Sequence, residues 1–212
     1  MRLIIASNNQ KKRSEIASVL QALSIDIVPA EQTVFIEVEE DGNTFAENAA
    51  KKAIAFSRIN RLPALADDSG LIVDTLDGAP GIYSGRYAGE HATDAQNVEK
   101  LLLDMAGNPE RKARFECALH LEFPGEQAAI TASGRVYGYI LEQTEGNKGF
   151  GYDPVFYCPE LGKSFASARP EEKVRVSHRG RALIQFLALL NRSLSLRAKK
   201  EFTLHGASTV TD

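Results

Sequence analysis

The chain has 212 residues, 25 of them Lys or Arg and 28 Asp or Glu, for a formal net charge of −3. Hydrophobic residues make up 43% and charged residues 25%, which is ordinary globular usage and excludes a long disordered or collagen-like chain. A net-acidic chain lacks the broad basic face that a phosphate backbone demands, so no nucleic-acid partner is expected and an anionic ligand must meet a local basic cluster.

The run Arg2 to Ala6 reads as a short buried strand that stops at Ser7-Asn8-Asn9-Gln10. It is too short for a signal-peptide core or a membrane span, so a cytoplasmic protein with no membrane partner is expected. A helix follows, its apolar stripe formed by Ile16, Val19, Leu20 and Leu23 and its start capped from Ser7 to Asn9. Ile25 to Val28 makes a second strand. Val34, Ile36 and Val38 alternate with Phe35, Glu37 and Glu39, which predicts a third strand entering the acidic turn Glu39-Glu40-Asp41-Gly42.

Thr44 with Glu47 has the form of a capping box and opens a small-residue-rich helix running to about Arg58. Pro63 to Ala66 leads to a strand end, Asp67-Asp68-Ser69-Gly70 interrupts it, and Leu71 to Val73 resumes the apolar run. Thr93 with Gln96 opens another helix, with Val98, Leu101, Leu102 and Met105 as its buried stripe. Ala113 to Phe123 alternates as a long half-buried strand, and Ala128 to Leu141 returns beside it as an antiparallel hairpin. Residues 142–175 read as loop-rich, and Ser177 caps a last helix with the stripe Ala182, Leu183, Phe186, Leu187 and Leu190. The order of elements predicts an α/β fold with a mixed sheet. Cys117 and Cys158, far apart and without a CxxC partner, are expected to be buried reduced thiols.

Five clusters carry chemistry. Lys11, Lys12 and Arg13 fall in the first turn of a helix, where each cation opposes the helix dipole by about 0.3–1 kcal/mol. Either a bound phosphate compensates them, or they are a solvated run partnered by Glu15. The adjacent carboxylates of Asp67 and Asp68 repel, which a divalent cation or a shared proton relieves, although Asp-Asp-Ser-Gly is also a plain turn sequence. The acidic turn at 39–41 has the same two readings. Oxygen ligands without clustered His or Cys point to magnesium, with manganese as a substitute, rather than zinc. Phe150-Gly151-Tyr152-Asp153 either lets a backbone approach a flat ligand stacked on Phe150 or makes a tight turn with a core-filling Phe. Lys173 to Arg179 gathers cations at what reads as another helix start, with His178 expected to be neutral there.

Taken together, Ser7-x-Asn9-x-x-Lys12, Asp67-Asp68-Ser69-Gly70, Gly149-Phe150-Gly151-Tyr152-Asp153-Pro154 and Ser177-His178-Arg179 resemble the inosine triphosphate pyrophosphatase family, in its order and spacing from residue 2 to about 191. The resemblance implies an elongated α/β fold, a long mixed sheet with flanking helices and two lobes around a central cleft. It also implies a homodimer and Mg²⁺-dependent cleavage of ITP, dITP and XTP to monophosphate and pyrophosphate, clearing non-standard purines from the nucleotide pool. One pyrophosphatase domain over residues 1–198 and a flexible tail over 199–212 are expected.

By position, the resemblance implies that Ser7, Asn8, Asn9, Gln10, Lys11 and Lys12 cradle the triphosphate, with Lys52 adding a cation. Glu40 and Asp68 would bind the metal. Asp68 would also be the general base, with Ser69 contacting substrate beside it. Phe150, Gly151, Tyr152, Asp153 and Lys173 would surround base and sugar, while His178 and Arg179 read the six-position oxygen, Arg179 supplying most of the discrimination against adenine. Other readings are a related pyrophosphatase for modified pyrimidines, which Ser177-His178-Arg179 argues against, and a nucleotide sensor without catalysis, which the retained carboxylates argue against.

Overall fold

The computed structural model describes residues 1–21, 25–125 and 128–206, with side chains described as far as residue 196. Among these residues seven strands form one mixed sheet, β1 (Arg2–Ile5), β2 (Asp26–Ile27), β3 (Ala64–Val73), β4 (Lys112–Glu122), β5 (Ile130–Ile140), β6 (Phe156–Cys158) and β7 (Lys163–Ser164). Their spatial order is β2-β1-β3-β4-β5-β6-β7. β1 runs parallel to both its neighbours, and every other pairing is antiparallel. Among the described residues five helices flank the sheet, α1 (Gln10–Gln21), α2 (Phe45–Asn60), α3 (Asp94–Asp104), α4 (Pro170–Val176) and α5 (His178–Gly206). No described helix is long and apolar enough to cross a membrane.

β3 is the strand on which the site depends. It pairs with β1 only through Ala64 and Leu65, and with β4 along all ten residues. Leu65 packs with Ile16, Leu20, Leu119, Leu121, Leu183 and Phe186 between the sheet, α1 and α5. Ala64 and Ala66 pack with Ile4, Ala53 and Phe56 against α2. Leu71 and Val73 belong to another core with Val98, Leu101, Met105, Phe115 and Phe156. Asp67 to Gly70 therefore cross from one apolar cluster to the next.

The expected break at Asp67-Asp68-Ser69-Gly70 is absent, because β3 continues through it with Asp67 opposite Leu119 and Asp68 opposite Ala118. Ladder pairing to β4 outweighs the turn propensity of the four residues, which propensity alone cannot anticipate. The strand end here belongs to β1, whose chain leaves the sheet at Ala6-Ser7 beside the carboxylates. The third strand expected around Val34 to Val38 is also absent. Its alternation is real, since Ile36 and Val38 pack on the Phe56 cluster. The Val34 backbone is instead held by Asn60, whose Oδ1 accepts from Val34 N and whose Nδ2 donates to Val34 O, and Ile36 O accepts from Asn8 Nδ2. Side-chain amides replace the ladder, and the segment crosses the mouth of the cleft.

Both predicted caps form, but only Thr93 closes the full box, because the Glu47 carboxylate accepts from Asn43 N and not from Thr44 N. Thr44 Oγ1 accepts from Glu47 N at the start of α2, and Thr93 with Gln96 makes a reciprocal box at α3. The 142–175 stretch is more ordered than its Gly and Pro content predicts, holding β6, β7 and α4. Ser177 ends α4 and caps α5, accepting from Gly180 N. Lys173 and Arg175 consequently lie in the last turn of α4, where the dipole favours cations, and not at a helix start. α5 buries Ala182, Leu183, Phe186 and Leu190 of the predicted stripe, and Leu187 is half-buried against the same core. Its backbone continues to Gly206. Leu23 of the α1 stripe, and the part of the expected tail beyond Gly206, lie outside the described residues. Cys117 and Cys158 are buried free thiols, as expected.

Candidate functional site

A cavity of about 340 Å³ opens where the end of β1, the middle of β3, the 33–42 crossing, the Phe150 loop and the start of α5 meet. Ser7, Asn8, Asn9, Lys12, Glu40, Lys52, Asp68, Ser69, Phe150, Gly151, Tyr152, Lys173, His178 and Arg179 all line it. Gln10, Lys11 and Asp153 do not. Gln10 is hydrogen-bonded to Arg13, Lys11 pairs with Asp94 at 3.6 Å, and Asp153 stands behind the wall as a brace.

At one end the chain after β1 turns into α1. Asn9 Oδ1 accepts from Lys11 N and Lys12 N, capping the helix, while Ser7 Oγ accepts from Asn9 N. Lys12 reaches Asp67 at 3.5 Å, so the cation against the dipole is balanced within the protein by a buried carboxylate. Lys52, four residues after Asn48 on one face of α2, places its ammonium 2.9 Å from Glu40 Oε1 and 3.2 Å from Asp68 Oδ1. Asn48 Nδ2 donates to Asp68 Oδ2 at 3.2 Å, and Asn48 Oδ1 accepts from Gly42 N, tying the acidic turn to the same strand. Of the three acids in that turn only Glu40 lines the cavity. Asp41 pairs with Lys51, and Glu39 is exposed.

The two adjacent aspartates differ because their surroundings differ. Asp67 is wholly buried, but its Oδ2 accepts from Arg179 at 3.0 Å and 3.2 Å and from Ser69 Oγ at 3.2 Å. Lys12, Arg179 and Lys52 overcome its burial and hold its carboxyl well below the usual range. Asp68 is pushed up, chiefly by burial, with Lys52 and Lys12 pulling down and Glu40 and Asp67 adding to the rise. Asp67 is thus a fixed anion and Asp68 a carboxylate whose affinity for a proton is enhanced.

The opposite end carries aromatic and cationic groups. Phe150 N donates to Asp153 Oδ2, and Lys173 Nζ lies 2.7 Å from the same oxygen and 4.8 Å from the Phe150 ring centroid. Gly151 N donates to Asp94 Oδ2, and Tyr152 OH donates to Ser84 O, fixing the loop from two sides. His178 stacks on Phe115, centroids 4.7 Å apart, and its buried Nδ1 has no hydrogen-bond partner. Burial, with Arg179 and Lys173 nearby, keeps this imidazole neutral by lowering its pKa well below 6.5. Four hydrogen bonds to Asp67, Ser69 and Glu15 engage four of the five N–H groups of Arg179. The expectation that Arg179 supplies most of the base reading is therefore narrowed to one remaining N–H.

Glu15 is the group that sequence reasoning placed differently. Its carboxylate pairs not with the α1 cations but with Lys173 at 3.0 Å and with Arg179. It joins the helix of the first loop to the residues 158 and 164 positions later. Asn48 was also missed, although its four-residue spacing from Lys52 was a usable signal.

A profile of the Ham1 family matches residues 3–189. The chain belongs to the Ham1 family. Relatives named dITP/XTP pyrophosphatase include one from Geobacter sulfurreducens, 50% identical over 185 residues, covering 86% of this chain and 92% of that one. Another, from Desulfotalea psychrophila, is 49% identical over 187 residues, covering 88% and 83%. The solved Ham1 protein of Staphylococcus aureus superposes with a TM-score of 0.81 at 38% identity, covering 91% of this chain and all of that one. The Mycobacterium abscessus structure named nucleoside-triphosphatase / dITP/XTP pyrophosphatase superposes at 0.71, also 38% identical, covering 90% and 100%. The family match, these relatives and the mixed sheet bear out the resemblance seen in the sequence of this Ham1 chain.

Proposed function

We propose that this chain hydrolyses non-standard purine nucleoside triphosphates, dITP and XTP and with them ITP, to the monophosphate and pyrophosphate. One observation carries the reading. A single cavity holds, at one end, two carboxylates gathered on one ammonium and, at the other, a neutral imidazole beside a stacking ring and a buried guanidinium. Relatives about half identical over most of their length carry the name dITP/XTP pyrophosphatase, which supports the same reading.

The donor set fits a hard divalent cation. Glu40 and Asp68 offer carboxylate oxygens close enough to share the Lys52 ammonium, and among the described residues no three His, Cys, Asp or Glu side chains group to hold a metal alone. That suits Mg²⁺, which binds through one or two carboxylates and completes its shell with water and substrate phosphate. When bound it would neutralise phosphate charge and acidify a water. Asp68, with its raised pKa, accepts the proton of the water attacking the α-phosphorus. The bond from that phosphorus to the bridging oxygen of the β-phosphate breaks, and pyrophosphate leaves. Lys12 and Lys52 stabilise the charge that develops. At the base end, His178 and the remaining Arg179 N–H can donate to a six-position carbonyl. An amino group there would leave a buried donor unmatched, at about 1–3 kcal/mol.

The test is steady-state hydrolysis of dITP, XTP, ITP, ATP and dUTP with Mg²⁺ and with EDTA, measuring pyrophosphate and orthophosphate separately. Pyrophosphate from dITP and XTP, about a hundredfold above ATP and abolished by EDTA, is expected. Asp68→Asn is expected to lower kcat by at least about 100-fold. Orthophosphate as product would move the attack to the γ-phosphorus and overturn the reading. Binding of ITP without turnover would replace it with a sensor. A homodimer and a cytoplasmic location belong to the same proposal, and sedimentation of the purified chain tests the dimer.

A further inference from the structure

The cations lining the cavity are Lys12, Lys52, Arg86, Lys173 and Arg179. Four of them are ion-paired: Lys12 with Asp67, Lys52 with Glu40 and Asp68, Lys173 with Glu15 and Asp153, and Arg179 with Asp67 and Glu15. Arg86 has no carboxylate partner among the described residues. Its Nη2 donates to the backbone oxygen of Glu40 at 3.1 Å, and its guanidinium lies 5.2 Å from the Tyr83 ring centroid. A cation already paired with a carboxylate gains less from an anionic ligand than one without such a partner.

Its mounting is rigid. Arg86 ends the 3-10 segment Gly81–Arg86, which presses directly on β3: a Cβ on Gly70 would stand 2.4 Å from both Gly81 O and Ser84 Oγ. Ser84 Oγ donates to Gly81 O and accepts from Leu71 N. Asn97 of α3 donates to Gly85 O and accepts from Ala88 N, and Tyr152 OH donates to Ser84 O. The residues on both sides of Arg86 are thereby fixed to elements of the cavity wall, and a pre-set donor costs no reorganisation when charge develops.

We propose that Arg86 binds the pyrophosphate end of the substrate, stabilising the β- and γ-phosphates as they depart. This rests on the pyrophosphatase reading for the identity of the ligand. The contact to Glu40 O places the guanidinium at the carboxylate end of the cavity. Its planar fork suits phosphate oxygens. Pyrophosphate gains negative charge as its bond to the α-phosphorus breaks, so the contact strengthens towards the transition state. No sequence pattern singles the residue out, because it stands in an irregular segment away from the four motifs.

The experiment is calorimetric titration of the wild type, Arg86→Gln and Arg86→Lys with pyrophosphate and, separately, with inosine monophosphate, both with Mg²⁺. Arg86→Gln is expected to weaken pyrophosphate at least about tenfold while leaving inosine monophosphate within about twofold, and Arg86→Lys, which keeps the charge but loses the fork, to bind pyrophosphate more weakly than the wild type and more tightly than Arg86→Gln. Unchanged pyrophosphate binding in Arg86→Gln would overturn the proposal. So would equal weakening of both ligands, the result of a displaced Glu40 turn, or a lysine variant as weak as the glutamine one. The titrations do not depend on turnover. A wild type that binds pyrophosphate through Arg86 but hydrolyses no nucleotide refutes the enzyme reading alone, and a competent enzyme whose pyrophosphate affinity ignores Arg86 refutes this one alone.

Discussion

At the scale of single residues, His178 shows how burial sets chemistry. Its ring is sealed against Phe115, and Arg179 and Lys173 oppose a second charge, so its folded pKa lies well below the 6.5 of an exposed imidazole. As pH falls, the unfolded chain takes up the proton first. The stability gained by keeping this imidazole neutral is complete above about pH 6.5 and is lost steadily below it, at about 1.4 kcal/mol per pH unit until the folded pKa is reached. Urea unfolding between pH 5 and 7 is expected to show that decline, and His178→Gln to flatten it by about one proton's slope. An equal slope in both proteins would place the titration elsewhere. Asp67 and Asp68 make the complementary case: identical side chains, adjacent in sequence, are pushed in opposite directions because burial outweighs Lys52 and Lys12 at Asp68, whereas Lys12, Arg179 and Lys52 outweigh burial at Asp67.

At the scale of elements, the close seating of α5 on β5 decides where His178 and Arg179 stand. Gly134 has no room for a side chain, since a Cβ there would lie 2.2 Å from His178 O and 2.4 Å from Ala182 N, both backbone atoms. Gly134→Ala is expected to push the start of α5 off the sheet, with a loss of about 2–3 kcal/mol on denaturant unfolding. It should also raise KM for dITP more than it lowers kcat. A variant of wild-type stability and KM would show that the helix can shift without disturbing the site. The same scale explains the two misplaced elements. Val34 to Val38 has the alternation of a strand but finds the amides of Asn8 and Asn60 as partners, and Asp67-Asp68-Ser69-Gly70 has the composition of a turn but is held straight by β4.

At the scale of the whole molecule, Glu15 links parts of the chain that the sequence separates. From α1 it reaches Lys173 in α4 and Arg179 in α5, and so couples the helix of the first loop to the groups at the base end. Arg179 is buried, and removing one of its two carboxylate partners leaves charge inadequately compensated. Glu15→Ala is expected to destabilise the protein by about 3 kcal/mol. It should also narrow the preference for dITP over dATP, read as the ratio of kcat/KM. A stability loss with unchanged selectivity would assign Glu15 to folding alone.

The sequence alone determined most of the helices, the β4–β5 hairpin, the caps at Thr44 and Thr93, and the four clusters that carry the family resemblance. Local periodicity and cap chemistry act over a few residues and are written in the order of the chain. The resemblance also pointed to Glu40 among its acidic neighbours, and the structure places its carboxylate 2.9 Å from the Lys52 ammonium. Only the tertiary structure decided that Asp67 is a buried brace, that Glu15 faces Lys173 and Arg179, that four of the Arg179 donors are already engaged, and that Arg86 reaches the cavity without a carboxylate partner. Charge pairing depends on distance in space and on the dielectric around each group, and neither is set until β3 carries its carboxylates between the apolar cores and the helix starts close over them.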